Sequence, residues 1–170
     1  MNVSEGLIII KGVLCDIGKC TDVNIVVPHG VLSIGPKAFS GCKRIKNMAI
    51  PATVSDIGAE AFKNCVNLES LTIYKPEDML EKTAKDITPE ESGAPSKETK
   101  TVNIPLGTKA IGQYTFYGCK KIKVVVIPES VKYIDNFAFT GCKSLKVAAV
   151  PKNTSVYGRA FDSSVKIMYV

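Results

Sequence analysis

The sequence predicts a β-rich solenoid, one elongated domain of stacked units, and three observations carry that prediction. Four stretches are copies of one another: PHGVLSIGPKAFSGCKRIKNMAI (28–50), PATVSDIGAEAFKNCVNLESLTI (51–73), PLGTKAIGQYTFYGCKKIKVVVI (105–127) and PESVKYIDNFAFTGCKSLKVAAV (128–150). The prolines that open them, together with Pro151, are separated by 23, 54, 23 and 23 residues. Phe39, Phe62, Phe116 and Phe139 keep a constant offset from those prolines, as do Cys42, Cys65, Cys119 and Cys142. Self-similarity at such a period means that each unit buries its apolar face only against its neighbours.

Each unit divides into three parts. The first has apolar residues spaced Ile45, Met48, Ile50; Leu68, Leu71, Ile73; Ile122, Val125, Ile127; and Leu145, Ala148, Val150. The closing alternation is that of a half-buried strand, and the proline that follows ends it. The second part is a short extended piece, 31–34, 54–57 and 131–134. It is closed by Gly35, Gly58 and Gly112, with Asp135 once in that place, as expected of a residue at positive φ. The third is read as a single helical turn ending in Phe39, Phe62, Phe116 and Phe139, with the Phe filling the interior. The Cys three residues later is small enough to let backbones approach. The spacing L-x-x-L-x-L is that of leucine-rich repeats. The predicted class is therefore a leucine-rich-repeat solenoid, with short parallel strands on one face and short strands and helical turns on the other.

In chain order, residues 1–22 are expected to form an N-terminal hairpin cap, with two apolar strands around Lys11-Gly12. Residues 23–73 hold the first repeats. Residues 74–100 break the period and are read as an insertion with a short helix, PEDMLEKTAKDI, on which Met79, Leu80, Ala84 and Ile87 share a face. Residues 101–170 hold the C-terminal repeats, the last of them shortened, with Ser164 where Cys would stand. No polar cap follows that strand, so the open end is expected either to meet a second copy or to continue in a longer protein.

The motif I-P-x-x-V-x-x-I-G-x-x-A-F-x-x-C-x-x-L, present as Ile50, Pro51, Val54, Ile57, Gly58, Ala61, Phe62, Cys65 and Leu68, resembles the BspA-like class of leucine-rich repeats. The resemblance covers residues 7–73 and 101–170. It implies a right-handed solenoid with a parallel sheet on the concave face, in proteins often found on bacterial or protist surfaces, where they bind host proteins or other cells. It implies no enzyme activity and supplies no catalytic residues. The opening MNVSEGLIIIKG lacks the basic region of a secretory signal. The chain as written reads as cytoplasmic, and by family analogy as a cell-surface or secreted segment. No apolar run approaches the length that spans a bilayer, so no membrane partner is expected.

Catalytic patterns are lacking. The sequence contains no Gly-rich phosphate loop, no H-E-x-x-H and no G-x-S-x-G. The only histidine, His29, sits beside a proline at a turn, and the spacing of Cys15 and Cys20 fits no zinc motif. No catalytic residue, cofactor or metal is expected, and the ladder cysteines are read as interior hydrophobes.

The candidate surface lies between the inward residues of the strands. On the first strands these positions hold Asn24 and Val26, Asn47 and Ala49, Ser70 and Thr72, and Thr101 and Asn103, which are mostly small and polar. On the last strands they are read as Val124 and Val126, Val147 and Ala149, and Ile167 and Tyr169, nearly all apolar. Lys120, Lys121, Lys123, Lys143, Lys146 and Lys166 surround them. Residues 101–170 hold ten Lys or Arg against three acids, a net +7 in a chain of net +6. An apolar centre with a charged rim is the anatomy of a protein interface. The expected function is non-enzymatic protein binding, adhesion or self-association through the C-terminal half of the concave face. Val124, Val126, Val147, Ala149, Ile167, Tyr169, Lys123 and Lys146 are its candidate residues. The alternative is binding of a polyanion, nucleic acid or acidic glycan, by the lysines; nucleic acid is disfavoured because arginine and interleaved exposed aromatics are scarce there.

Overall fold

The computed structural model describes residues 7–16, 22–75 and 100–170. Cys20 and the expected helix over 76–87 lie outside the described residues. The chain winds through about six turns, each adding one strand to either of two sheets. It opens with a hairpin of β1 (Ile8–Ile10) and β2 (Val13–Asp16), the antiparallel pair that starts the first sheet. Lys11 and Gly12 both take positive φ, 49° and 77°, which is the two-residue turn that matches strand twist. In this sheet β2 is followed by β4 (Ser33–Ile34), β6 (Asp56–Ile57), β9 (Ala110–Ile111), β11 (Tyr133–Ile134) and β13 (Ser155–Val156), each parallel to the last. The second sheet, on the concave face, is parallel throughout. It runs β3 (Asn24–Val26), β5 (Asn47–Pro51), β7 (Ser70–Tyr74), β8 (Thr101–Asn103), β10 (Val124–Val126), β12 (Val147–Val150) and β14 (Lys166–Tyr169).

Strand register follows the repeat. Asn24 pairs with Asn47 and Asn47 with Ser70; Val124 pairs with Thr101 and with Val147. Leu71 pairs directly with Val102, and Ile57 with Ile111, so the layers on either side of residues 76–99 stack on one another. Strand β7 runs through Tyr74, one residue into the segment expected as an insertion. The buried Tyr74 hydroxyl donates to the Val27 carbonyl at 2.5 Å and ties this layer to the first.

Between the sheets lies the ladder of identical residues. The rings of Phe39, Phe62, Phe116, Phe139 and Phe161 form one continuous stack, with centroids 4.9–5.3 Å apart and planes within 13°. That spacing is close to the inter-strand distance of a sheet, about 4.8 Å, so one aromatic per layer stacks without adjustment.

Two local expectations change. The segment before each Phe is a run of hydrogen-bonded turns, and no helix forms among the described residues. Left-handed residues interrupt it: Lys37, Glu60, Tyr114 and Phe137 have φ between 58° and 62°. The Phe N–H therefore leaves the turn and donates sideways to the next layer. Phe39 donates to Ala61, Phe62 to Thr115, Phe116 to Ala138 and Phe139 to Ala160, at 2.7–2.9 Å. The second change concerns Gly35, Gly58 and Gly112, none of which has positive φ. They are there for close approach. A Cβ on Gly58 would lie 2.5 Å from the Pro36 nitrogen, and one on Gly35 would lie 3.0 Å from the Leu14 oxygen. Positive φ falls instead at the residue before each ladder Cys, in Gly41, Asn64, Gly118 and Gly141.

Candidate functional site

The concave sheet is a grid whose rows are the repeat positions and whose columns are the strands. Parallel in-register pairing sets adjacent columns about 4.8 Å apart. In the N-terminal half one outward row, Asn24, Asn47 and Ser70, is polar and hydrogen-bonded within itself, and the other holds Val26, Ala49 and Thr72. Asn47 Nδ2 donates to Asn24 Oδ1, and Ser70 Oγ to Asn47 Oδ1, both at 2.8 Å.

Beyond β8 the first of these rows changes character and the second stays largely apolar. One reads Thr101, Val124, Val147, Lys166, and the next reads Asn103, Val126, Ala149, Met168. Val124, Val147 and Ala149 are half-buried, while Val126 is 42% and Met168 46% exposed. Four of the candidate apolar residues therefore share one face on two adjacent strands. Ile167 and Tyr169 do not. They pair with Ala148 and Val150, inward positions, and Ile167 packs against the core. The final unit is shorter than its siblings, and a slip of one residue moves every side chain to the other face. Met168 replaces them on the concave face, and Lys166 projects from it. Sequence reading missed Met168, although the alternation Val165, Ile167, continuing the inward set of Leu145 and Ala148, was the available signal.

A third row runs along the edge where the strands begin: Lys46, Glu69, Lys100, Lys123, Lys146. Backbone bonds stack its residues, with Glu69 donating to Lys46, Lys123 to Lys100 and Lys146 to Lys123, at 2.7–2.9 Å. Lys100 Nζ lies 2.8 Å from Glu69 Oε1. Lys123, Lys146 and Lys166 are exposed, and none has a carboxylate partner among the described residues. Lys120, Lys121 and Lys143 are exposed on the turns that lead to these strands. The C-terminal half's acids are engaged or distant in the repeat: Asp162 accepts from the Gly141 N–H, Asp135 accepts from the Asn136 N–H, and Glu129 follows the strand-ending proline.

The ladder cysteines are built into the framework. The carbonyls of Phe39, Phe62 and Phe116 each accept the N–H of the Cys in their own layer and the S–H of the Cys in the next. Cys65 Sγ donates to Phe39 O at 3.0 Å, Cys119 Sγ to Phe62 O at 3.2 Å and Cys142 Sγ to Phe116 O at 3.1 Å. Burial raises the thiol of Cys119 well above its ordinary range and pushes that of Cys142 up to about 12. Reactive thiols have the opposite shift. Cys15 is exposed on β2 and His29 is exposed at its turn. No group of three His, Cys, Asp or Glu side chains is placed to hold a metal ion among the described residues. No described helix is long and apolar enough to cross a membrane.

Comparison with known proteins agrees with this geometry. The sequence model for "BspA type Leucine rich repeat region" matches residues 18–85 and 94–170, in six copies. No curated protein sequence matches. Among solved structures, a leucine-rich repeat protein from Bacteroides ovatus is 26% identical with a TM-score of 0.65, and the match covers 100% of this chain and 38% of that one. A leucine rich cell surface protein from Faecalibacterium prausnitzii shares the fold at 22% identity and a TM-score of 0.63, over 87% of this chain and 32% of its own. A leucine-rich repeat protein of T. pallidum is 25% identical with a TM-score of 0.53, over 81% and 63% of the two chains. The chain thus spans about a third of the length of the first two.

Proposed function

The chain belongs to the BspA-type leucine-rich repeat family, and on that premise we propose that it is a non-enzymatic protein-interaction module that binds through the C-terminal half of its concave sheet. Proteins of this kind are generally interaction or surface modules. The observation that carries the reading is the change along the grid: one outward row passes from self-bonded Asn24, Asn47 and Ser70 to Val124 and Val147, and Val126, Ala149 and Met168 lie beside it on the last strands. Contiguous apolar side chains left on a sheet face cost solvation that a partner recovers. The interior is committed to packing: its phenylalanines to the stack, its thiols to carbonyls.

The test is capture with wild type against a Val124→Lys/Val126→Lys variant. Both side chains point away from the core row, so the variant keeps its fold. A protein retained by the wild type and released by the variant is the expected result. Equal retention by both overturns the assignment to this face. Light scattering on wild type and a Val126→Lys/Val147→Lys variant separates the occupants: a one-chain mass in both is expected of a face that binds another protein, and a larger wild-type mass lost in the variant would assign the face to a second copy.

A further inference from the structure

We infer that the partner seated on this face presents an acidic segment, with carboxylates for Lys123, Lys146 and Lys166 and apolar side chains for Val124, Val126, Val147 and Met168. The inference rests on the concave-face reading and adds the chemistry of the occupant. Its basis is charge complementarity along one strand edge. In the edge row, Lys100 is matched by Glu69 at 2.8 Å, which shows the arrangement the row takes when a carboxylate is available. The next two strands continue the row with Lys123 and Lys146, and β14 places Lys166 beside Val147. None of these three has a carboxylate partner among the described residues.

Like charges on adjacent strands repel. This repulsion is relieved when carboxylates arrive, and more strongly once the apolar rows are covered and water is displaced. The unmatched lysines lie directly beside the apolar rows, so one ligand can satisfy both only if it carries acids and hydrophobes together. A second copy of the same face is a poor occupant, because residues 101–170 carry ten basic against three acidic side chains and two such faces repel. A polyanion without apolar groups would match the lysines and leave the valines uncovered.

The experiment pans the full chain against a displayed random-peptide library and assays heparin retention in parallel. Enriched peptides should combine Asp or Glu with Val, Leu, Ile or Phe, and should weaken as salt rises. Lys123→Glu/Lys146→Glu should reduce their affinity at least about tenfold, with Lys123→Gln/Lys146→Gln intermediate. All four substitutions are at exposed positions, and circular dichroism checks that the fold is kept. Peptides without acidic bias that are lost in Val126→Lys/Val147→Lys but unaffected by Lys→Glu would overturn the inference while leaving the concave-face reading intact. Peptides indifferent to both sets of variants would overturn both. Heparin retention that depends on Lys123 and Lys146 but not on the valines, with no peptide enriched, would assign the row to polyanions and overturn the acidic-segment inference.

Discussion

Thr108 is fully buried at the position where the sibling units hold Val31, Val54 and Val131, and its hydroxyl has no hydrogen-bond partner among the described residues. The equivalent Thr154 donates to Val131 O at 2.9 Å, so the position can satisfy a hydroxyl and does not at 108. An unsatisfied buried hydroxyl costs about 1–3 kcal/mol, and valine has nearly the same shape. Thr108→Val is expected to raise the melting temperature by about 2–4 °C per kcal/mol recovered, measured by circular dichroism. The thiols behave differently, because they are bonded. Cys119→Ala removes an S–H donor from Phe62 O and opens a small void, and should cost about 1–2 kcal/mol in urea unfolding. Burial also makes stability depend on pH. Cys142 titrates at about 12 in the fold against 9.0 in the open chain. A folded value above the unfolded one stabilises the protein fully below pH 9.0, and that contribution is lost as pH rises towards 12. The urea midpoint should therefore fall between about pH 9 and about pH 10.5, and less steeply in Cys142→Ala. A midpoint flat across that window would contradict the burial of these thiols.

At the scale of the element, two classes of glycine do different work within the same turn. Gly58 has ordinary φ, but its Cα faces the backbone of Pro36 and Gly35, with 2.5 and 2.8 Å left for a Cβ. Backbone cannot rotate out of the way, so Gly58→Ala should push two layers apart and cost about 1–3 kcal/mol. Gly41 has open space around it and φ of 76°, so Gly41→Ala should cost about 1–2 kcal/mol through conformation alone. Gly41→Asn separates the cases, since Asn tolerates positive φ and Asn64 already holds this position at 60°. It should recover part of the loss at 41, whereas Asn at 58 should be no better than Ala. Thermal melts of the four variants check this. The turn itself was only half legible. A pattern ending in Ala-Phe suits a helical turn as a local sequence, and the lateral demand of the Phe N–H for the next layer overrides it.

For the whole molecule, the stack of phenylalanines and the in-register sheets make one continuous frame, and the outward rows are what varies upon it. Lys123→Glu/Lys146→Glu should leave the unfolding free energy within about 0.5 kcal/mol of wild type in urea, because both lysines are exposed and unmatched by any described carboxylate. Phe116→Ala should cost about 3–5 kcal/mol, because its ring contacts Phe62 on one side and Phe139 on the other. Measured together, the two variants separate frame from surface.

The period of 23 residues was enough to determine the solenoid, the identity of the core and the pairing of one repeat with the next, because identical residues in a repeated environment stack in register. It also placed Val124, Val126, Val147 and Ala149 correctly on one face. Three things were decided only by tertiary structure. The shortened last unit fixed its strand parity by packing Ile167 inward against the core, which exchanged Ile167 and Tyr169 for Lys166 and Met168 on the concave face. The lateral bonds between layers decided that the Phe turn is not helical and that Gly35, Gly58 and Gly112 are needed for space. Stacking also brought Glu69 beside Lys100, across a gap of 31 residues, and left Lys123 and Lys146 with no carboxylate partner among the described residues. The physical reason is the same in each case. Alternation and period are local properties of a chain, whereas parity, close approach and charge balance depend on which neighbour lies about 4.8 Å away.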